Sequence, residues 1–358
     1  MMIVGILGAG QLARMLALAA YPLGIKTRCL SFSDENPAKD VTQVDVCEEH
    51  DSEKITAFAK EVDVLTLETE NIPLDFAKKI AALKPLYPSV ETLAIAQDRL
   101  QEKQLFRSFN IQTAEFIAVE TLEELTLAVK TLGFPCILKT RFYGYDGKGQ
   151  VIINCAQDIA LAFKQLGGGA LILESFVPFE YEVSLIAARN LHGQIAFYPL
   201  TRNEHQNGIL HISQAPYKHP LQETAQICVA TLLAHLNYIG VFTVEFFVHN
   251  NTLIANECAP RVHNSGHWTI EGNDTSQFEQ HIRAVCNLPL GSTKARGFSF
   301  MYNCIGQMPD REKILNIPGA HYHTYNKTPR LGRKVGHVTI CGESKTDVLG
   351  LAKLINEA

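Results

Sequence analysis

Pro135-Cys136-Ile137-Leu138-Lys139-Thr140-Arg141-Phe142-Tyr143-Gly144-Tyr145-Asp146-Gly147-Lys148-Gly149-Gln150-Val151-Ile152-Ile153 is the stretch on which the fold turns. Its apolar ends read as two strands, and three glycines crowd the segment between them, so the pattern predicts a hairpin with a glycine-rich tip. The tip lacks the Walker spacing and no helix follows it, which argues against a P-loop. Such a tip can fold over phosphate groups with its N–H groups inward, and Lys139, one strand away, can add a point charge. A plain flexible hairpin with an exposed lysine is the competing reading of these residues alone.

Upstream, residues 2–7 form a short apolar run, followed by Gly8-Ala9-Gly10 and a stretch (11–20) whose apolar positions suit a helix on a sheet. Residues 27–32 and 62–66 read as further strands, so the first 90 or so residues carry a βαβ pattern and an open parallel sheet is expected. Gly8-x-Gly10-x-x-Ala13 nearly matches a dinucleotide fingerprint, in which glycines let the backbone approach a phosphate at a helix N-terminus. NAD, another phosphate-bearing ligand and mere tight packing all remain open, because only Asp34 is available to take a ribose diol after the second strand. Pro85 and Pro88 mark a linker, and Ser89 starts a helix expected over 91–109, with Asp98, Arg99, Glu102 and Lys103 on its polar side.

Downstream, a helix (157–166) leads to a strand (170–174) that ends in Glu174-Ser175-Phe176-Val177. Antiparallel strands are expected at 181–188, 194–200 and 209–214, a helix at 221–237, and a hairpin from 241–248 and 252–258. The tail from 291 shows short strands, turns and a last helix (345–356). On the hairpin, Glu245 and Glu257 share a face if the loop holds an odd number of residues, such as three around Asn250 and Asn251. Two acids in so apolar a setting suit a magnesium clamp, with solvent-facing acids as the alternative. Residues 261–268, from Arg261 to Trp268, concentrate donors able to cradle a small oxyanion, or to make a hydrogen-bonded structural loop. Lys327, Arg330, Arg333 and Lys334 could hold a monoester phosphate or form a solvated basic face.

The chain's 358 residues exceed what one core usually organises, so two or three domains with clefts between them are expected. A net charge of −5 gives no basic field for nucleic acid. The start lacks a cationic segment ahead of its apolar run, and no apolar stretch approaches a membrane span, so neither export nor membrane insertion is expected. Nine scattered cysteines without a C-x-x-C pair suit reduced thiols in a cytosol.

Taken together, the glycine-tipped hairpin with its lysine, the Glu-Ser-Phe-Val segment and the paired acids resemble the ATP-grasp superfamily. More narrowly, Gly8-Ala9-Gly10-Gln11-Leu12, Gln97-Asp98-Arg99, Lys139-Thr140-Arg141, the 144–150 loop, Asn256-Glu257-x-Ala259-Pro260-Arg261-x-His263-Asn264-Ser265-Gly266-His267 and Gly332-Arg333-Lys334 resemble the N5-carboxyaminoimidazole ribonucleotide synthetases of purine biosynthesis. The resemblance runs over essentially the full chain. It implies a fold of mixed α/β and α+β class with a Rossmann-like parallel-sheet domain (1–95), an ATP-grasp region (96–290) with its lid at about 115–178, and a small β-rich C-terminal domain (291–358).

The resemblance also implies ATP, Mg²⁺ (with Mn²⁺ as an alternative), bicarbonate and 5-aminoimidazole ribonucleotide as ligands, and a cytoplasmic homodimer. ATP's phosphates would meet Arg99, Lys139 and the loop Gly144, Tyr145, Asp146, Gly147, Lys148, Gly149 and Gln150. Its adenine would lie against Glu174, Ser175, Phe176 and Val177, its ribose against Glu182, with His205 and Asn256 close by. Glu245 and Glu257 would hold the metal. Bicarbonate would meet Arg261, His263, Asn264, Ser265 and Lys327. The ribonucleotide would be gripped by Gln11, Leu12, Glu70, Tyr145, Asp146, Lys148, Lys327, Arg333 and Lys334. A formate-using ribonucleotide transformylase, an NAD-dependent oxidoreductase and a nucleotide sensor without turnover are the rivals.

Overall fold

The structure is a computed structural model that describes residues 2–144 and 147–357. Tyr145 and Asp146, expected at the lid tip, lie outside the described residues. The first unit is a parallel sheet of β1 (Ile3–Leu7), β2 (Lys26–Ser31), β3 (Gln43–Val46), β4 (Val64–Leu67) and β5 (Leu86–Tyr87), in the order β3-β2-β1-β4-β5. Both faces are covered, as a parallel sheet requires. Helix α1 (Gln11–Ala20) turns Leu12, Met15 and Leu16 into one core, which extends to Ile186, Val241, Phe278 and Ile282 of the rest of the chain. Burial of a side chain such as Leu16 contributes about 1.5–3 kcal/mol, so this shared core ties the first unit to the remainder. The opposite face packs Phe58 of α2 (Ser52–Lys60) and Phe76 and Ile80 of α3 (Leu74–Ala81).

The helix expected over 91–109 is two helices, α4 (Val90–Gln97) and α5 (Arg99–Ser108). Asp98 between them is extended (φ −115°, ψ 106°), and its carboxylate caps α5 by accepting from Leu100 N at 3.0 Å. The same carboxylate receives Arg141 from the hairpin root at 2.9 and 2.5 Å. A capping acid and a tertiary ion pair thus outweigh local helix propensity, and the break sets Arg99 at the first turn of α5.

The lid is an antiparallel sheet of β6 (Phe116–Val119), β7 (Cys136–Thr140), β8 (Gln150–Ile153) and β9 (Leu171–Ser175), ordered β6-β9-β7-β8. It is backed by α6 (Leu122–Leu132), which opens on a Thr121/Glu124 capping box, and α7 (Asp158–Gln165). The expected glycine-tipped hairpin is β7–β8, paired from Cys136↔Ile153 to Lys139↔Gln150.

The large sheet holds β10 (Tyr181–Arg189), β11 (Ile195–Phe197), β12 (Thr201–Gln206), β13 (Ile209–Ala215), β14 (Gly240–His249), β15 (Thr252–Ala259), β16 (Phe298–Ile305), β17 (Ala320–Thr324) and β18 (Lys334–Gly342). Helices α8 (Gln222–His235), α9 (Thr269–Gly272), α10 (Gln277–Val285), α11 (Arg311–Leu315) and α12 (Lys345–Ala352) complete the chain. The tail does not build a sheet of its own. β13 pairs with β16 from Ile212↔Tyr302 to Ala215↔Ser299, so the C-terminal strands extend the large sheet while keeping a separate small core around Ile314, Val338, Ile340 and Val348.

Candidate functional site

One cleft of about 1450 Å³ is walled by the first unit, the lid hairpin, the large sheet and the tail. The sheet supplies its two acids. β14 and β15 are joined by a two-residue turn, Asn250-Asn251, both in the left-handed region at φ 48° and 55°. An even loop would put Glu245 and Glu257 out of step, contrary to the three-residue loop expected. A β-bulge restores the parity: Phe246 pairs with Ala255, Glu245 pairs with Glu257, and Asn256 is the extra residue. The two carboxylates therefore stand directly opposite each other on one face.

Each acid already has a side-chain partner. Glu257 Oε2 is 3.0 Å from Arg99, and Glu245 Oε1 is 3.1 Å from His263 Nε2. Burial alone would raise the Glu245 pKa, but the His263 hydrogen bond and charge, with His205 and Lys334, hold it near 2, so it is a carboxylate at any working pH. His263 is oriented by Ser265, whose hydroxyl lies 2.8 Å from Nδ1 and 2.7 Å from Ser184 Oγ. Asn256, the bulge residue next to Glu257 on the cleft wall, has its Oδ1 buried and without a hydrogen-bond partner. Two carboxylates and an orphaned amide oxygen are hard donors that suit Mg²⁺, which takes one or two protein carboxylates and fills its remaining positions with phosphate or water. Among the described residues, no cluster of three or more His, Cys, Asp and Glu is set to hold a metal unaided.

The lid reaches the same space. Lys139 is buried on β7 and its Nζ is 2.9 Å from Glu174 Oε2, which also lies 3.5 Å from Lys103 Nζ. Burial would raise the Glu174 pKa, but the two lysines and the Lys139 hydrogen bond bring it down to about 2. The tip is folded over the cleft: the Gly144 carbonyl accepts from Arg99 at 3.4 Å, and a Cβ on Gly147 (φ 73°) would come within 2.9 Å of Gly208 Cα in the β12–β13 turn. Glycine is required at this approach. Gly147, Lys148 and Gln150 also line the cleft, as do Glu182 and His205, whose Nδ1 is 2.5 Å from Glu182 Oε2.

On the far wall stand Gln11, Leu12, Glu70, Arg261, Asn264, Lys327, Arg333 and Lys334. Arg261 grips Glu70 with Nε and with Nη2 (2.9 Å) and gives Nη1 to Val262 O at 3.2 Å. A guanidinium has five N–H donors, so two remain for a ligand. Asn264 exchanges hydrogen bonds with Asn303 at 2.9 and 2.8 Å. Arg333 is held by Glu35 at 2.6 Å, and burial lowers the Lys327 pKa.

Some expected residues stand apart from the cleft wall. Ser265 is fully buried and acts on His263, and Gly149 packs against Thr140. Glu174, Ser175, Phe176 and Val177 do not line the cavity; its wall there is Phe179, Glu180, Tyr181 and Glu182. At the N-terminal glycine motif, of the readings left open, the structure shows tight packing against a side chain of the protein itself. Its helix N-terminus is filled by Glu68, which accepts from Gly10 N at 2.5 Å and Ala13 N at 2.9 Å, so those donors are already occupied where a dinucleotide phosphate would sit. Sequence reading passed over Glu68, and it placed Glu102 and Lys103 on a polar helix side where the structure buries both. For Glu68 a signal was present: an acid directly after a short strand that is apolar but for Thr66.

Comparison with known proteins follows the same division of the chain. Residues 1–97 match the ribonucleotide synthetase preATP-grasp domain, 104–278 the ATP-grasp domain, and 299–350 the phosphoribosylaminoimidazole carboxylase C-terminal domain. The N5-carboxyaminoimidazole ribonucleotide synthase of Pseudomonas aeruginosa is 45% identical over 349 residues, 96% of each chain. The crystal structure of N5-carboxyaminoimidazole ribonucleotide synthetase from Thermus thermophilus superposes with a TM-score of 0.95 at 44% identity, covering 99% of this chain and 98% of that one. The Aspergillus clavatus enzyme in complex with ADP and 5-aminoimidazole ribonucleotide superposes with a TM-score of 0.91 at 29% identity, covering 99% and 98%.

Proposed function

The chain belongs to the N5-carboxyaminoimidazole ribonucleotide synthase family, and from that premise we propose how its cleft divides the reaction among its residues. The protein is an ATP-grasp ligase of purine biosynthesis that uses ATP to carboxylate 5-aminoimidazole ribonucleotide. The carboxyl source in this reading is bicarbonate. Supporting the assignment of ATP to the lid side is the opposition of Glu245 and Glu257, with Asn256 and its orphaned Oδ1 next to Glu257, across the same cleft as Lys139 and the glycine tip.

Glu245, Glu257 and Asn256 would hold magnesium, which when bound neutralises charge on the ATP phosphates. Lys139, with the N–H groups of Gly144 and residues 147–150, faces the γ-phosphate, and Arg99 bridges Glu257 to Gly144 at the tip. The adenine is assigned to the wall formed by Phe179 to Glu182, just beyond the segment Glu174 to Val177, with Glu182 and His205 at the ribose. Arg261, His263, Asn264 and Lys327 receive bicarbonate, with Ser265 orienting the His263 ring. Gln11, Leu12, Glu70, Lys148, Arg333 and Lys334 grip the ribonucleotide; Tyr145 and Asp146 are assigned there as well.

Bicarbonate is a poor electrophile, so activation comes first. A bicarbonate oxygen attacks the γ-phosphorus and ADP leaves, giving carboxyphosphate; the exocyclic amine then bonds to the carboxyl carbon, of carboxyphosphate itself or of the CO₂ it releases, as phosphate departs and takes up the amine's proton. Positive groups fixed around the transferring phosphoryl stabilise its spreading charge without reorganisation. Lid closure excludes water from an intermediate that water would destroy. Among the described residues, no helix is long and apolar enough to cross a membrane. We assign the protein to the cytoplasm, as a homodimer.

Phosphate release from Mg-ATP and bicarbonate, with and without 5-aminoimidazole ribonucleotide, tests the reading; formate with glycinamide ribonucleotide is the control pair. Release that needs both aminoimidazole and bicarbonate is expected. Activity confined to the formate pair, or silence throughout, would overturn the assignment.

A further inference from the structure

Helix α1 begins at Gly10, which has no side chain with which to cap it. A capped helix uses two carboxylate-type contacts: a cap side chain accepting from the third N–H, and an acid at the third position reaching back to the cap N–H. Glu68, at the end of β4 and 58 residues away in sequence, makes both. Its Oε2 accepts from Ala13 N and its Oε1 from Gly10 N. The glycines of the motif answer to this side chain. A Cβ on Gly8 (φ 102°) would fall 2.5 Å from Glu68 Cγ, and one on Gly10 2.8 Å from Glu68 Oε1. Space that a dinucleotide-binding loop keeps for a phosphate is here kept for a carboxylate carried by the protein itself.

We infer that Glu68 is a positioning and specificity residue: an internal anion that takes the phosphate seat at the N-terminus of α1, fixes residues 10–13 so that Gln11 and Leu12 face the ribonucleotide, and bars any second phosphate ligand from the first unit. The inference rests on the reading above that Gln11 and Leu12 receive that substrate. Glu68 borders the cleft; burial raises its pKa, and the Ala13 and Gly10 N–H groups together with the charges of Lys327 and Arg261 oppose that rise.

The test uses the full-length enzyme with Glu68→Gln and Glu68→Ala. In Glu68→Gln the amide presents N–H₂ to one of the two backbone N–H groups, donor against donor. The KM for 5-aminoimidazole ribonucleotide should rise on the order of tenfold while the KM for ATP stays within about twofold. In Glu68→Ala the seat is empty, and acetate should restore part of the lost activity there without stimulating wild type or Glu68→Gln. A parallel change in both KM values, no change in either, or failure of acetate to rescue a folded Glu68→Ala enzyme overturns the inference. If Glu68→Ala does not fold, the KM split in Glu68→Gln decides alone. Should wild type lack aminoimidazole-dependent turnover, the functional reading has failed rather than this one. Thermal shift then decides the seat: acetate should stabilise Glu68→Ala more than wild type, and equal shifts in both would refute it.

Discussion

Glu174→Gln gives a quantitative test of the charge balance under the lid. Glu174 is 2% exposed and shared by Lys139 at 2.9 Å and Lys103 at 3.5 Å, and its pKa is brought from 4.5 to about 2. That depression corresponds to about 3 kcal/mol of stability at neutral pH. Because the folded pKa is the lower one, this contribution is full above pH 4.5 and is lost as pH falls towards 2. Glutamine mimics the protonated acid. The variant should therefore lose about 3 kcal/mol near pH 7, and the gap to wild type should shrink by more than about 1 kcal/mol at about pH 3.5. Lys103, whose pKa burial already lowers, can shed its proton in the variant, which keeps the loss from growing further. Urea unfolding followed by far-UV circular dichroism and by the fluorescence of buried Trp268 reads the difference. A loss below about 1 kcal/mol, or one equal at both pH values, would refute the assignment of Glu174 as the shared counterion.

Glu257→Gln should lower kcat at ordinary magnesium by at least about a hundredfold, yet shift Tm by no more than a degree or two, because its pair with Arg99 is partly exposed and such pairs are worth about 1 kcal/mol or less. Near-normal turnover would remove it from the metal seat. Lys334→Ala should raise the KM for the ribonucleotide on the order of tenfold and that for ATP little; equal effects on both would contradict its place at the substrate. Gly147→Ala puts a Cβ at φ 73° against the 207–208 turn, so the closed lid is strained. ADP formation should then exceed carboxylated product, measured by parallel assays of the two, whereas tight one-to-one coupling would show that the tip has no part in excluding water.

The parallel sheet of the first unit and the glycine hairpin were legible because each depends on local pattern. What escaped was set by partners far away in the chain. The helix at 91–109 breaks at Asp98 because Arg141, 43 residues on, meets a capping carboxylate there. β12 reads Thr-Arg-Asn-Glu-His-Gln with no apolar alternation, yet it sits mid-sheet because Asn203 is satisfied by Ser184 and Ser213. The opposition of Glu245 and Glu257 was foreseen for a different reason from the true one, since a bulge at Asn256 rather than an odd loop aligns them. The tail's strands join the large sheet through β13–β16 pairing, which no local signal reveals. Glu68 and the Arg261–Glu70 pair become meaningful only once β4, α1 and the loop after β15 converge.

The most direct measurement of the central claim follows an oxygen atom. With ¹⁸O-labelled bicarbonate, Mg-ATP and 5-aminoimidazole ribonucleotide, attack of bicarbonate on the γ-phosphorus should deliver one labelled oxygen to each phosphate released, read by mass spectrometry or ³¹P shift. Phosphate free of bicarbonate-derived label, with oxygen taken instead from labelled water, would contradict the account.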